Sequence, residues 1–239
     1  AELLLNILLN NVDTVMISRY SQNSVGAMGN ANQIMFLFII MFGVIASATG
    51  VVVSQYLGAK KTENMNQIYT MALLLNLALG LILSLVVFFC CEDFMGLMKV
   101  NESQIGDAVT YTKIVGIFLF LQAGYNVMVQ ILRCNGYTKV GMYISLMVNL
   151  VNIVGNYLFL YGPLAHLNMG IAGVAISTVT ARIVAFTVAL IIFYRCRIGK
   201  IAPKLLFPFP GKILVKMLRI GIPSAGENLA YSLCQLVLL

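Results

Sequence analysis

NMNQIYTMALLLNLALGLILSLVVFFCC, from Asn64 to Cys91, contains no Asp, Glu, Lys or Arg. Its apolar residues are continuous and do not alternate. A transmembrane strand needs only about ten alternating residues, whereas a spanning helix needs about twenty apolar ones. The run therefore predicts a membrane-spanning helix. Two further runs, Ile34–Ala59 and Val140–Ala181, are equally free of charge. The whole chain of 239 residues is 60% hydrophobic and 10% charged, with mean hydropathy +0.93. Soluble domains carry about 25% charged residues, so this chain has too few charges to coat a water-facing surface. The fold class read from these facts is an all-α polytopic membrane protein.

Working outward from that run, seven apolar spans can be placed, at 3–19, 33–57, 66–90, 111–132, 141–161, 171–194 and 217–239. The links SQNSVGAMGN, GAKKTEN, CNGYTKV and GPLAHLNMG are short, which predicts antiparallel neighbours; CEDFMGLMKVNESQIGD is longer. The chain does not begin with Met and stops inside the apolar run LCQLVLL, so the expectation is a piece of a longer protein.

Charge sets the orientation. Lys60, Lys61, Arg133, Lys139, Arg195, Arg197, Lys200, Lys204, Lys212, Lys216 and Arg219 all fall on one side of the predicted bundle. The other side has Arg19, Lys99 and Lys113 beside Glu92, Asp93, Glu102 and Asp107. The positive-inside rule places the first set in the cytoplasm of a multi-pass plasma-membrane protein. It also explains the net charge of +7 without nucleic acid. Residues 195–216 carry Pro203, Pro208 and Pro210 among alternating basic and apolar residues, and read as a basic cytoplasmic linker lying on anionic headgroups. The expected organisation is a six-helix lobe over 1–194, the linker over 195–216, and the start of a second lobe, with a truncated seventh helix, over 217–239.

The polar residues inside spans are the candidates for chemistry. In LLLNILLNNVDTVMISR (3–19), Asn6, Asn10 and Asp13 fall within about 60° of arc on one helix face. A carboxylate near the bilayer centre costs about 3 kcal/mol, so this face is expected to meet protein or water. The fifth span repeats the pattern with Asn149, Asn152 and Asn156. Interhelical amide bonding alone is one explanation for such stripes. The other is a shared pocket of carboxylate, amide and hydroxyl oxygens, hard ligands suited to Na⁺ or to a proton with water. Thr178 in the sixth span can join that pocket or bond only its own helix. Arg182 lies one turn further on, with Asp13 and Glu227 as the acidic partners at comparable depth. The small-residue stretches GVIASATG (43–50) and GIAGVAIST (170–178) predict close helix approach. Five cysteines show no metal or redox spacing, and the lone His166 sits near a loop after Pro163. No catalytic constellation is visible, no enzyme activity is expected, and no cofactor is called for beyond an ion such a pocket would hold.

VDTVMISR (12–19) followed by VGAMGNANQI (25–34) resembles the first-helix signature of the multidrug and toxic compound extrusion (MATE) transporters. VVVSQYLGAKK (51–61), RCNGYTKVGMYISLMVNLVNIVGNYLFLYG (133–162), NMGIAGVAISTVTAR (168–182) and RIGIPSAGEN (219–228) are similar to later segments of that family, in the same order. The resemblance implies the first of two six-helix lobes around a cavity open to one side at a time. It implies exchange of a drug-like or metabolic cation for Na⁺ or H⁺. The family's first-helix acid falls on Asp13, its fifth-helix polar pair on Asn152 and Asn156, and its sixth-helix Thr on Thr178. Na⁺ would be held at Asp13, Asn152 and Asn156, with Asn10, Asn149, Arg182 and Glu227 as secondary candidates. Some branches have Asp where this chain has Asn156, which leaves Na⁺ against H⁺ open here. The implied partners are the lipid bilayer, a small cationic substrate and the C-terminal lobe, without nucleic acid. Rival readings are a lipid-linked oligosaccharide flippase, which would want a cationic cavity, and a non-transporting membrane scaffold.

Overall fold

In a computed structural model of the chain, described over residues 15–60, 64–98 and 100–202 with isolated positions at 204, 211, 214–215, 219–220 and 223, the architecture is helical. Residues 15–20 are helical (α1) and lead into α2, Gln22–Gly58. Then come α3, Met65–Leu97; α4, Glu102–Ile117; α5, Leu119–Cys134; α6, Thr138–Leu160; and α7, Gly170–Arg195. A 3-10 turn, Ala165–Leu167, joins the last two, and within it His166 Nδ1 bonds the Pro163 carbonyl. Helices α2, α3, α6 and α7 are each long and apolar enough to cross a membrane. So is the α4–α5 pair, taken as one span bent by 50°. Most of the expected first span and most of the seventh lie outside the described residues.

Two helices outrun their expected limits. The stretch 22–32, read as connector, is the first part of α2, and α3 continues past residue 90 to Leu97. At 1.5 Å per residue, the 37 residues of α2 reach about 55 Å and the 33 of α3 about 50 Å. Both exceed a hydrocarbon layer of about 30 Å. The polar extension of α2 stays helical because other groups satisfy it. Ser21 Oγ accepts the Ser24 N–H at its N-cap. Ser24 Oγ donates to Asp107 Oδ2 at 2.9 Å, across to α4. The expected long link after the third span shrinks to residues 98–101, since Glu102 opens α4 with a charge that suits a helix N-terminus. Lys113 and Glu92 pair at 2.7 Å across the α3–α4 hairpin.

The fourth span is broken at Phe118, although no proline or paired glycine is there. A side chain from another helix meets the backbone at the break. Arg182 of α7 donates Nη1 to the Val115 carbonyl at 3.3 Å. A regular helix would offer that carbonyl to the N–H four residues on, and a side chain inserted into the ladder is a recognised origin of kinks.

Two apolar clusters fill the bundle. One, around Phe42, Val87, Met95, Val115 and Leu119, sits toward the α3–α4 turn. The other, around Val53, Ile68, Tyr69, Ile131 and Phe193, sits toward the opposite end. Phe36, Leu37, Ile82, Leu85, Phe89, Leu150, Val154 and Ile191 are exposed, as expected of faces turned to lipid. Of all helix pairs, α6 and α7 share the most extensive contact.

Candidate functional site

That contact is close because small residues line it. A Cβ built on Gly155 would lie 2.1 Å from Ser177 Oγ, and one on Gly173 would lie 2.7 Å from the Phe159 Cβ. Only glycine lets the two helices approach this far. The approach brings the polar faces of α6 and α7 within hydrogen-bond reach.

The bonds form a connected chain. Asn156 Nδ2 donates to Asn152 Oδ1 at 3.2 Å, one turn away on α6. Asn152 Nδ2 donates across the interface to Thr178 Oγ1, also at 3.2 Å. Thr178 Oγ1 donates in turn to the Val174 carbonyl at 3.0 Å. Beside this chain, Ser177 Oγ donates to the Asn152 carbonyl at 2.8 Å. Asn152, Asn156 and Ser177 are all buried, with Asn156 only 1% exposed. Three of the candidate residues, Asn152, Asn156 and Thr178, are thus brought together at the depth of two candidate spans.

The other candidates sort differently. Asn149 Nδ2 donates to the Ser145 carbonyl of its own helix at 2.8 Å. Arg182, one turn beyond Thr178, turns to α4 and the Val115 carbonyl. Among the described residues no carboxylate pairs with it, since the ion pair there is Lys113–Glu92. Asp13, Asn10 and Glu227 lie outside the described residues. Thr180 bonds only the Ile176 carbonyl behind it, as a membrane threonine can. Ser177 and Gly155 are not among the site residues expected from sequence, and nothing there pairs them with each other. For Ser177 the signal is the small-residue stretch 170–178, which marks close approach without saying which atoms meet; Gly155 lies outside it, beside the asparagine face of the fifth span.

The arrangement offers amide and hydroxyl oxygens with mobile donors and no soft ligand. Among the described residues there is no grouping of three His, Cys, Asp or Glu side chains. An incoming hard cation would be met by Asn152 Oδ1 and Thr178 Oγ1 once their donors rotate away, and would need a carboxylate from elsewhere to balance its charge.

Comparison with known proteins agrees with this architecture. The chain is 37% identical over 237 residues to the "Uncharacterized transporter YisQ" of Bacillus subtilis, covering 99% of this chain and 52% of that protein. It is 24% identical to the "Probable multidrug resistance protein NorM" of Thermotoga maritima, covering 97% of this chain and 50% of that protein. Its fold matches a solved structure described as a crystal structure of MATE in complex with MaD3S, with TM-score 0.86 and 22% identity over 98% of this chain and 52% of that one. The chain spans about half the length of the curated relatives it matches. A family model described as MatE matches residues 1–158, and on that match, with the helical bundle it accompanies, the chain belongs to the MatE family.

Proposed function

We propose that this chain forms the first lobe, residues 1–194, of a cation-coupled antiporter that exports organic cations, drugs or metabolites by alternating access. The observation that carries the reading is the chain of bonds from Asn156 through Asn152 to Thr178. Glue between helices needs one such bond. Here a directional series, buried at Asn156 and Asn152 and part-buried at Thr178, crosses the interface and ends on a backbone carbonyl. The names of relatives, multidrug resistance proteins among them, support the same class. Residues 195–216 act as the cytoplasmic linker and the second lobe begins at 217.

In this mechanism Asp13 supplies the charge and the amide–hydroxyl chain supplies the neutral oxygens. Binding of Na⁺ or a proton neutralises the carboxylate and removes the cost of holding a charge in the bilayer. Asn152 and Asn156 change donors as the ion arrives, and the first helix packs differently on α6. The ion shifts the lobe only by its differential affinity for the two arrangements. The flippase reading is less favoured, because the one arginine well within a span is engaged with a backbone carbonyl of its own lobe.

The test is efflux of a fluorescent organic cation from sealed vesicles holding the full protein, under an imposed Na⁺ or pH gradient. Wild type should respond to one gradient and Asp13→Asn to neither. Efflux in the variant equal to wild type would overturn the proposal. Absence of efflux from well-folded wild type would favour the flippase or scaffold.

A further inference from the structure

At the end of the bundle where the basic residues gather, a cavity of about 690 Å³ opens between the C-terminal ends of α2, α5 and α7 and the start of α3. Its size falls within the range of small-molecule sites. The wall is mixed, apolar side chains such as Leu57 and Met65 lying beside polar groups held by hydrogen bonds. Asn66 Oδ1 accepts the Lys200 backbone N–H at 2.8 Å, and Asn135 bonds the Tyr69 hydroxyl. Gly199 permits this packing, since a Cβ there would lie 2.5 Å from Asn66 Oδ1. The rim carries two exposed cations, Arg197 and Lys200, neither of them in an ion pair among the described residues.

Two features point to the ligand. Arg197 holds φ +50°, the left-handed position just past a helix end that normally belongs to glycine. A charged side chain is kept there against the backbone preference, and it rims the same opening as Lys200. Leading to that rim, Ile191 and Tyr194 lie three residues apart on α7 and are both half exposed, while Ile198, beyond the helix end, lines the opening itself. An apolar track that runs from the lipid face into a doubly cationic cavity suits a molecule with an acyl chain and an anionic head.

We propose that this cavity binds the phosphodiester headgroup of an anionic phospholipid, with Arg197 and Lys200 on the phosphate and the acyl chain along Ile191 and Tyr194. Basic pockets between helices near the cytoplasmic surface are suited to such headgroups. The site is separate from the α6–α7 chain and does not depend on the transport reading.

The test measures binding of phosphatidylglycerol and phosphatidylcholine to the full protein in detergent, with inorganic phosphate as competitor. Arg197→Gly combined with Lys200→Gln removes both charges and relieves the left-handed backbone, so the fold should be at least as heat-stable as wild type. Phosphatidylglycerol affinity should fall roughly 30-fold, or roughly 5-fold for each charge. Lys139→Gln with Arg195→Gln removes the same charge from the same face outside the cavity, and should change affinity less than about 3-fold. Phosphatidylcholine binding should be insensitive to both pairs, and millimolar phosphate should leave the lipid bound. Equal losses in the two double variants would reduce the effect to surface charge and overturn the proposal. Full displacement by inorganic phosphate would overturn the lipid assignment in favour of a soluble phosphate site.

Discussion

Replacing Gly155 by alanine tests whether the α6–α7 approach sets the geometry of the site. The new methyl would lie 2.1 Å from Ser177 Oγ and 3.0 Å from Ser177 Cβ, but 3.5 Å from Ser177 Cα. The hydroxyl must therefore move by more than about 1 Å to reach ordinary contact. Moving it breaks its 2.8 Å bond to the Asn152 carbonyl, at a cost of about 1 kcal/mol. The Cβ contact adds overpacking of about 1–3 kcal/mol, partly offset by about 1 kcal/mol from alanine's better helix propensity. Gly155→Ala should destabilise the protein by roughly 1–3 kcal/mol. Ser177→Gly alone should cost about 2 kcal/mol, from the lost bond and the added glycine. In the double variant the clash disappears, because the remaining contact is with Cα at an ordinary distance. The pair should then show a coupling of about −2 to −4 kcal/mol. Equilibrium unfolding in mixed micelles, followed by far-ultraviolet circular dichroism, measures all four proteins. Additive effects, or a Gly155→Ala protein as stable as wild type, would refute the reasoning.

Three further outcomes are expected. Arg182→Met removes the donor to the Val115 carbonyl and should straighten or loosen the 50° bend, read as a changed spin-label distance between the far ends of α4 and α5; an unchanged distance would mean that packing alone sets the bend. Ser24→Ala loses a bond to a carboxylate, so thermal or denaturant stability should fall by about 1.5–3 kcal/mol, and a change under about 0.5 kcal/mol would contradict the assigned role of Ser24 in holding the α2 extension. Asn152→Ala deletes two links of the chain and should cost about 2 kcal/mol, whereas Thr178→Ser keeps the hydroxyl and should cost less than about 1 kcal/mol; transport assays on both should rank them in the same order.

Much of the bundle was legible before the structure. Uncharged runs longer than any barrel strand give the helical class, and among the described residues Lys60, Arg133 and Arg195 do gather at the end shared by the C-termini of α2, α5 and α7. The polar face of α6 was also legible from spacing, and two of its three asparagines join the bonded chain. What escaped is what sequence does not encode locally. Residues 22–32 look like a polar link, yet Ser21 and Asp107, the latter on another helix, supply the bonds that keep them helical. The break at Phe118 has no proline to announce it; what meets the backbone there is an arginine more than sixty residues away, bonded to the Val115 carbonyl. A backbone acceptor leaves no mark in the amino-acid string, so Arg182 pointed in sequence toward acids instead. Gly155 and Ser177 were visible only as small residues, since the contact between them exists only once two helices are paired.

The proposed exchange runs through a site shared by Asp13, Asn152, Asn156 and Thr178. Its most direct measurement runs the exchange backwards. Vesicles holding the full protein are equilibrated with the coupling ion on both sides, and an organic cation substrate is added to one side only. Inward substrate flow should drive the ion out against no gradient of its own, seen as a substrate-dependent change in internal Na⁺ or pH, and Asp13→Asn should abolish that ion movement. Substrate uptake without ion movement in wild type, or unchanged ion movement in the variant, would contradict the account.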